Sequence, residues 1–322
     1  MTIASVYEPI QDDLVKVEES IKAFCQAPDY PLMAEPLDYV MGNGGKRIRP
    51  ALVLLAATFH DYELERLIPV ATGVEVFHNA TLVHDDFVDR SSVRRGKPSV
   101  VSRWGESVAL LLGDYLFAGS ADLVASPGCR RVTQLFARTI MRICSGQLKE
   151  LRGAFNWRLS EQEYYDHIDS KTATLFSTSA EAGAVLSRAP DEAIAALRTY
   201  GQRLGMAFQV IDDILDFVGD EKDLGKPVGS DLLQGTATLP AILLAAQSSG
   251  DNPLRRVFEK PGDAAEVQRF IDMIRESAVI PECYRIATEF TLEACRALDI
   301  LPDTASRRSL LELAEYVVAR RK

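Results

Sequence analysis

Apolar residues recur every three or four positions through residues 52–77, 108–123, 132–151, 171–186 and 192–218, the spacing that places them on one face of an α-helix. Each segment is predicted to be helical. Prolines such as Pro98, Pro127, Pro190, Pro227, Pro253 and Pro302 punctuate the intervals, and no run alternates apolar and polar side chains as a half-buried strand does. The predicted fold class is all-α. Pro50 stands where a first-turn proline would, ahead of the apolar run from Ala51, and "APDE" at 189–192 has the form of another helix start. No linker or composition break divides the chain, and no period of ~20 to 50 residues repeats, so residues 1–322 are expected to form one domain. A short echo does occur: "DDFVD" at 85–89 returns as "DDILD" at 212–216.

The 322 residues are 47% hydrophobic, too apolar on average for a disordered chain. The longest apolar runs, 51–58 and 108–112, fall well short of the ~18 residues that cross a bilayer, and the first residues lack a basic-then-apolar signal pattern. The expectation is a cytoplasmic protein with no transmembrane segment. Five cysteines without C-x-x-C spacing indicate neither a disulfide framework nor a zinc site. A formal net charge of −10 argues against a nucleic-acid partner, which needs a basic surface. Local basic clusters in so acidic a chain suit a small anion better than a polymer.

On a helix, Asp85 and Asp89 share a face with Asp86 nearby, and Asp212, Asp216 and Asp213 repeat the arrangement. Each triad follows a stretch that is apolar on nearly every side, "GVEVFHNATLV" and "GMAFQVI", as expected of interior helices. Crowded carboxylates are costly to bury unless a cation accompanies them. Magnesium fits, since it is commonly held by one or two carboxylates together with waters and substrate phosphates. A single D-D-x-x-D can be a solvated acidic helix edge; two, each after an apolar helix, point to a metal-assisted diphosphate site.

A second anion site is suggested by "GNGGKRIRP" at 42–50, where a glycine-rich turn carries Lys46, Arg47 and Arg49 into a helix start. With Arg94 and Arg95 it describes a diphosphate held by side chains and not by metal. Two anion sites of different chemistry imply two phosphorylated substrates.

Together these blocks resemble the all-trans isoprenyl (polyprenyl) diphosphate synthase family. "GGKRIRP", "HDDFVDRSSVRRG", "KTATLF", "AFQVIDDILDF" and "GKPVGSDL…TLP" are similar to its signatures and stand in its order, from about residue 42 to 240. The resemblance implies an all-α isoprenoid synthase fold, roughly a dozen helices around a central cavity, usually as a homodimer. It also implies condensation of isopentenyl diphosphate onto an allylic diphosphate with Mg²⁺, three ions per site when diphosphate is bound. On that basis Asp85, Asp86, Asp89, Asp212, Asp213 and Asp216 would hold the metal ions, and Arg94, Lys171 and Lys226 would assist at the allylic diphosphate. Lys46, Arg49, His78 and Arg95 match positions that bind isopentenyl diphosphate, with Arg47, Arg320 and Arg321 as secondary candidates. Thr172 and Gln209 correspond to polar residues facing the reacting carbons. One departure is Thr236 in "QGTATLP", where the family usually has a lysine, which puts one diphosphate contact in question.

The helix before Asp85 would line the product tunnel. Ala80 and Thr81 stand where farnesyl synthases typically place aromatics, and Phe77 lies one turn deeper, ~4.5 Å along the same face. A product of C20 or longer is expected, medium or long chains preferred, with geranylgeranyl or farnesyl diphosphate synthesis as alternatives. A class I terpene cyclase would lack the second aspartate triad and the "GGKRIRP" cluster. A metal phosphohydrolase built on His84 would need further histidine ligands, and only His60, His78 and His167 remain. The expected role of His84 is that of a helix residue beside the triad, and Arg90 is left unassigned. A non-catalytic subunit of a heteromeric synthase tends to lose the aspartates retained here.

Overall fold

Where the periodicity through 52–77 suggests one helix, the chain forms two, α4 (Ile48–Ala57) and α5 (Leu64–Val88). The cause lies outside the segment. The Thr58 hydroxyl caps the Leu55 carbonyl at 2.8 Å, the Asp61 N–H donates to the Ser187 carbonyl, and Arg188 pairs with Asp61 at 3.1 Å, so a distant loop holds the break open. Helix α4 also starts two residues earlier than Pro50 suggests. The computed structural model describes residues 3–26, 31–42, 44–219, 227–248 and 251–320; Lys226 and Arg321 lie outside them.

Three N-terminal helices, α1 (Ile3–Val6), α2 (Gln11–Gln26) and α3 (Ala34–Met41), lead into α4. After α5 come a two-residue β-ribbon (Val93–Arg94 with Lys97–Pro98), α6 (Val100–Trp104), α7 (Glu106–Ala125), α8 (Arg130–Gly153) and α9 (Glu161–Ile168). A π-helical turn at Asp169–Ala173 joins α9 to α10 (Thr174–Leu186), which precedes α11 (Asp191–Val218). The C-terminal part holds α12 (Ser230–Leu233), α13 (Leu239–Ala246), α14 (Pro253–Glu259), α15 (Ala264–Glu276), α16 (Val279–Ala297) and α17 (Ala305–Ala319). Apart from the ribbon every regular element among the described residues is a helix, as the all-α expectation requires.

Burial follows apolar pattern. Ala51 to Ala57 in α4 are all fully buried, as expected of a helix apolar on every side. The buried side chains form two clusters, one over α4, α5, α7 and α10, the other over α13 to α16, and α11 runs through both. Helix α7 is long and apolar enough to cross a membrane by length and composition alone. Its inner face packs on α5 in the bundle, with Ala109, Leu112 and Leu116 fully buried.

Helix α10 approaches α4 closely at Gly183, where an added Cβ would lie 2.1 Å from the Val53 carbonyl oxygen. Backbone cannot yield as a side chain can, so Gly183→Ala is expected to destabilise the fold by about 2 kcal/mol or more. Urea unfolding should show a lower midpoint at unchanged slope; an unchanged midpoint would contradict this packing.

Candidate active site

Helix α5 delivers the first aspartate triad at its C-terminal end, with Asp85 and Asp86 in the last turn and Asp89 as the C-cap. Asp86 is 3% exposed and turns toward the ribbon, where one of its oxygens accepts from Arg94 Nε at 2.9 Å and Nη2 at 2.5 Å. Arg95 (φ 52°) and Gly96 (φ 73°) close that ribbon, the double positive φ of a type I′ turn. Neither the Asp85 nor the Asp89 carboxylate has a hydrogen bond or ion pair among the described residues. Burial pushes Asp85 and Asp86 above the usual carboxylate range, opposed by Lys171 and Arg94 for the first and by Arg94 for the second. It brings Asp89 up to about 6; Lys171 opposes the shift, while Asp85 and Glu150 add to it.

Lys171 and Thr172 sit in the π turn, a local widening of the helix that recurs at functional sites. Lys171 Nζ meets Glu150 Oε2 of α8 at 2.5 Å, and the other Glu150 oxygen lies 3.4 Å from His167 Nε2. Burial works to lower the Lys171 ammonium, but Glu150, Asp85 and Asp89 together carry it upward. For Glu150 burial is likewise outweighed: His167 and Lys171 hold its carboxyl down at about 2. Lys171 therefore stays charged beside the first triad.

The adjacent Thr172 reaches the second triad. Its hydroxyl donates to Gln209 Oε1 at 2.7 Å, and Gln209 Nε2 donates to Asp213 Oδ1 at 2.8 Å. The Tyr164 hydroxyl donates to Asp213 Oδ2 at 2.6 Å. Burial and Asp231 push the Asp213 carboxyl well above its usual range, while these two donors favour its ionised form. Asp216, 1% exposed, accepts from the Ser230 hydroxyl at 2.9 Å and faces the Asp231 N–H at 3.4 Å. Asp212 is the most open of the three and pairs with Arg320 at 3.0 Å. Thr236 lies near this wall, its N–H bonded to the Asp231 carbonyl.

The basic cluster gathers at the α4 N-terminus and the ribbon. Arg47 is a left-handed N-cap (φ 48°) whose guanidinium meets Glu18 at 2.5 Å and Glu75 at 2.8 Å. Those carboxylates saturate it, so Arg47 braces the cluster while its neighbours stay available. Arg49 lies 4.7 Å over the Phe176 ring with a buried Nε that has no hydrogen-bond partner among the described residues, and burial brings it down to about 10 against the pull of Glu75. Arg95 is anchored by the Gly44 carbonyl at 2.9 Å, and Lys46 is exposed near the Tyr316 ring. Burial, then Arg49, Arg95 and Arg94, lower His78 well below its usual range, so it is neutral. His84 instead fills a contact with α7, where an added Cβ on Gly113 would strike its ring, and Arg90 is exposed at positive φ.

The polyprenyl synthetase family model matches residues 30–274. Component 2 of the heptaprenyl diphosphate synthase of Geobacillus stearothermophilus is 37% identical over 98% of both chains. The chain belongs to the polyprenyl synthetase family. The corresponding component from Bacillus subtilis is 33% identical over 100% of this chain and 92% of its own. A Caulobacter crescentus polyprenyl synthase, solved with calcium and isoprenyl diphosphate, superposes with a TM-score of 0.95 at 32% identity, covering 100% and 98% of the two chains. The fold is thus the all-α isoprenoid synthase fold and the protein is a prenyltransferase.

Polyprenyl synthetases use divalent metal. The residues here fit such an ion: Asp85 and Asp89 are half-buried oxygen donors raised by desolvation, with the fields of Lys171 and Arg94 against it. Deeper in α5, Phe77 is 2% exposed and makes edge contacts with Phe117 of α7 (5.8 Å) and Phe136 of α8 (5.3 Å). Ala80 is 1% exposed, and the Thr81 hydroxyl is spent on the His78 carbonyl at 2.7 Å. Glu150 and Tyr164 are the residues of this constellation that no sequence motif marked.

A raised carboxyl binds protons more readily folded than unfolded, so stability falls as pH rises through its folded value. For Asp89 that penalty is full at neutral pH, begins to fall as pH drops through about 6, and is gone near the ordinary carboxylate value of about 4. Metal-free Asp89→Asn is therefore expected to melt above wild type at pH 7.5, the difference shrinking toward pH 4. Equal or lower melting at pH 7.5 would contradict the electrostatic account.

Proposed function

We propose that this prenyltransferase condenses isopentenyl diphosphate with an allylic diphosphate into a trans product of C20 or longer, medium to long chains preferred, with Mg²⁺ as the metal and three ions per site. The π turn carries the reading, because its adjacent Lys171 and Thr172 tie the first triad to the second. Such a site faces one diphosphate with carboxylates and lysine together. The basic cluster of Lys46, Arg49, Arg95 and neutral His78 supplies a second, metal-free anion site.

Bound Mg²⁺ would neutralise the allylic diphosphate and favour its departure. Arg94 and Lys171 add fixed positive charge there, so the C1–O bond breaks with its electron pair on diphosphate. The isopentenyl double bond, held by the basic cluster, attacks C1 and forms the new C–C bond. Thr172 and Gln209 face the reacting carbons, and the released diphosphate takes the proton lost from the new cation. Apolar walls keep water from the cation.

Small Ala80 and spent Thr81 leave the upper tunnel open, and Phe77, wedged between Phe117 and Phe136, forms its floor. Two surfaces bear on assembly: Leu111 of α7 and Leu148 of α8 are 62% and 63% exposed, which supports a homodimer through these helices. A second reading comes from the relatives described as component 2 of heptaprenyl diphosphate synthases, under which the chain would need another subunit.

Mass spectrometry of products made by the purified chain alone from isopentenyl and geranyl diphosphates tests both. C20 or longer products are expected, and Phe77→Ala should lengthen them by at least one C5 unit. A dominant C15 product would overturn the tunnel account, an unchanged distribution in the variant would remove Phe77 as the floor, and activity only with an added subunit would favour the second reading.

A further inference from the structure

We propose that Tyr164 is a positioning residue for prenyl transfer: through Asp213 and Gln209 it sets which side of the Thr172 hydroxyl is turned to the reacting carbons. The inference rests on the proposed condensation and on Thr172 facing those carbons. Its basis is a hydrogen-bond chain in which each link dictates the polarity of the next.

Tyr164 is 2% exposed, and its hydroxyl ends 2.6 Å from Asp213 Oδ2. Asp213 is equally buried, and its other oxygen meets Gln209 Nε2 at 2.8 Å. Once ionised, as a metal ligand must be, Asp213 only accepts, so the phenol donates its hydrogen bond to it and the Gln209 amide is fixed with its nitrogen toward Asp213. That choice turns Gln209 Oε1 toward Thr172, and an amide oxygen also only accepts. Thr172 must therefore donate, as its 2.7 Å contact shows. With its proton committed, Thr172 Oγ1 presents only lone pairs elsewhere. Lone pairs stabilise an electron-deficient allylic carbon, whereas an O–H dipole aimed the other way would oppose it.

Removing the phenolic oxygen breaks the chain at its far end. Asp213 Oδ2 loses its donor, the carboxylate can rotate, and the Gln209 amide is free to turn over. Thr172 can then point its proton into the site. The ring of Tyr164 packs edge-on against Tyr165 at 5.5 Å, a contact that phenylalanine keeps. Tyr164→Phe thus deletes the hydrogen bond and leaves the packing.

The test compares wild type, Tyr164→Phe, Thr172→Val and the double variant with isopentenyl and allylic diphosphates, alongside melting temperatures. Expected for Tyr164→Phe is a fall in kcat of about 30-fold, with KM for both diphosphates within about twofold of wild type and melting within a few degrees. The double variant should be no slower than Thr172→Val alone, the non-additivity of residues acting through one chain. Retention of more than half the wild-type kcat, or effects that multiply in the double variant, would overturn the role of Tyr164. Wild-type chain that transfers no prenyl group would overturn the functional reading, and this inference with it.

Discussion

Carboxylates that must stay ionised inside an apolar bundle are the constraint on which this structure depends. Desolvation drives all of them toward the neutral form, and the protein answers differently at each. Asp86 is met by Arg94, Asp213 by Tyr164 and Gln209, and Asp216 by Ser230 with the Asp231 N–H. Asp85 and Asp89 are left with the fields of Lys171 and Arg94, without a hydrogen bond among the described residues. Leaving them under-compensated sacrifices stability in the free chain, and on the proposed reading it would create affinity for a hard cation. The π turn is the structural device that makes this possible, because it aims Lys171 at one triad and Thr172 at the other.

The cationic half solves the converse problem. Arg47, Arg49, Arg94 and Arg95 crowd around His78; Asp86 answers Arg94, and the buried Glu75 and the Glu18 side chain answer Arg47. Arg47 absorbs those carboxylates and becomes a brace, and Arg49 keeps a buried nitrogen with no hydrogen-bond partner among the described residues. Arg47, Arg90 and Arg95 all adopt positive φ, a backbone cost that persists where surrounding structure enforces it. The charge repulsion among these arginines is what a bound anion would relieve.

Much of this is legible without coordinates because it is local. Spacing of four on a helix places Asp85 with Asp89 and Asp212 with Asp216, and three- and four-residue periodicity locates α7, α8, α10 and α11 to within a few residues. What escaped depends on partners distant in sequence. The break at 58–63 is held by Ser187 and Arg188, so the local pattern gives no sign of it. Glu150 and Tyr164 are single polar positions on α8 and α9, indistinguishable from solvated ones until α11 and the π turn pack beside them. Arg47 looked like its neighbours, since nothing nearby announces Glu18 or Glu75. The "RRG" of the ribbon did carry a turn signal, but two-residue strands are too short for alternation to show.

On the proposed reading the under-compensated aspartates, and not the basic residues alone, create the allylic site through a divalent cation. Calorimetric titration of the wild-type chain with a non-hydrolysable allylic diphosphate analogue, with Mg²⁺ and then with EDTA, tests this most directly. Tight binding in Mg²⁺ and loss of at least about 100-fold in affinity, 2.7 kcal/mol, in EDTA is the predicted result. Equal affinity in the two buffers would mean that arginine and lysine hold the diphosphate unaided, and would contradict the account.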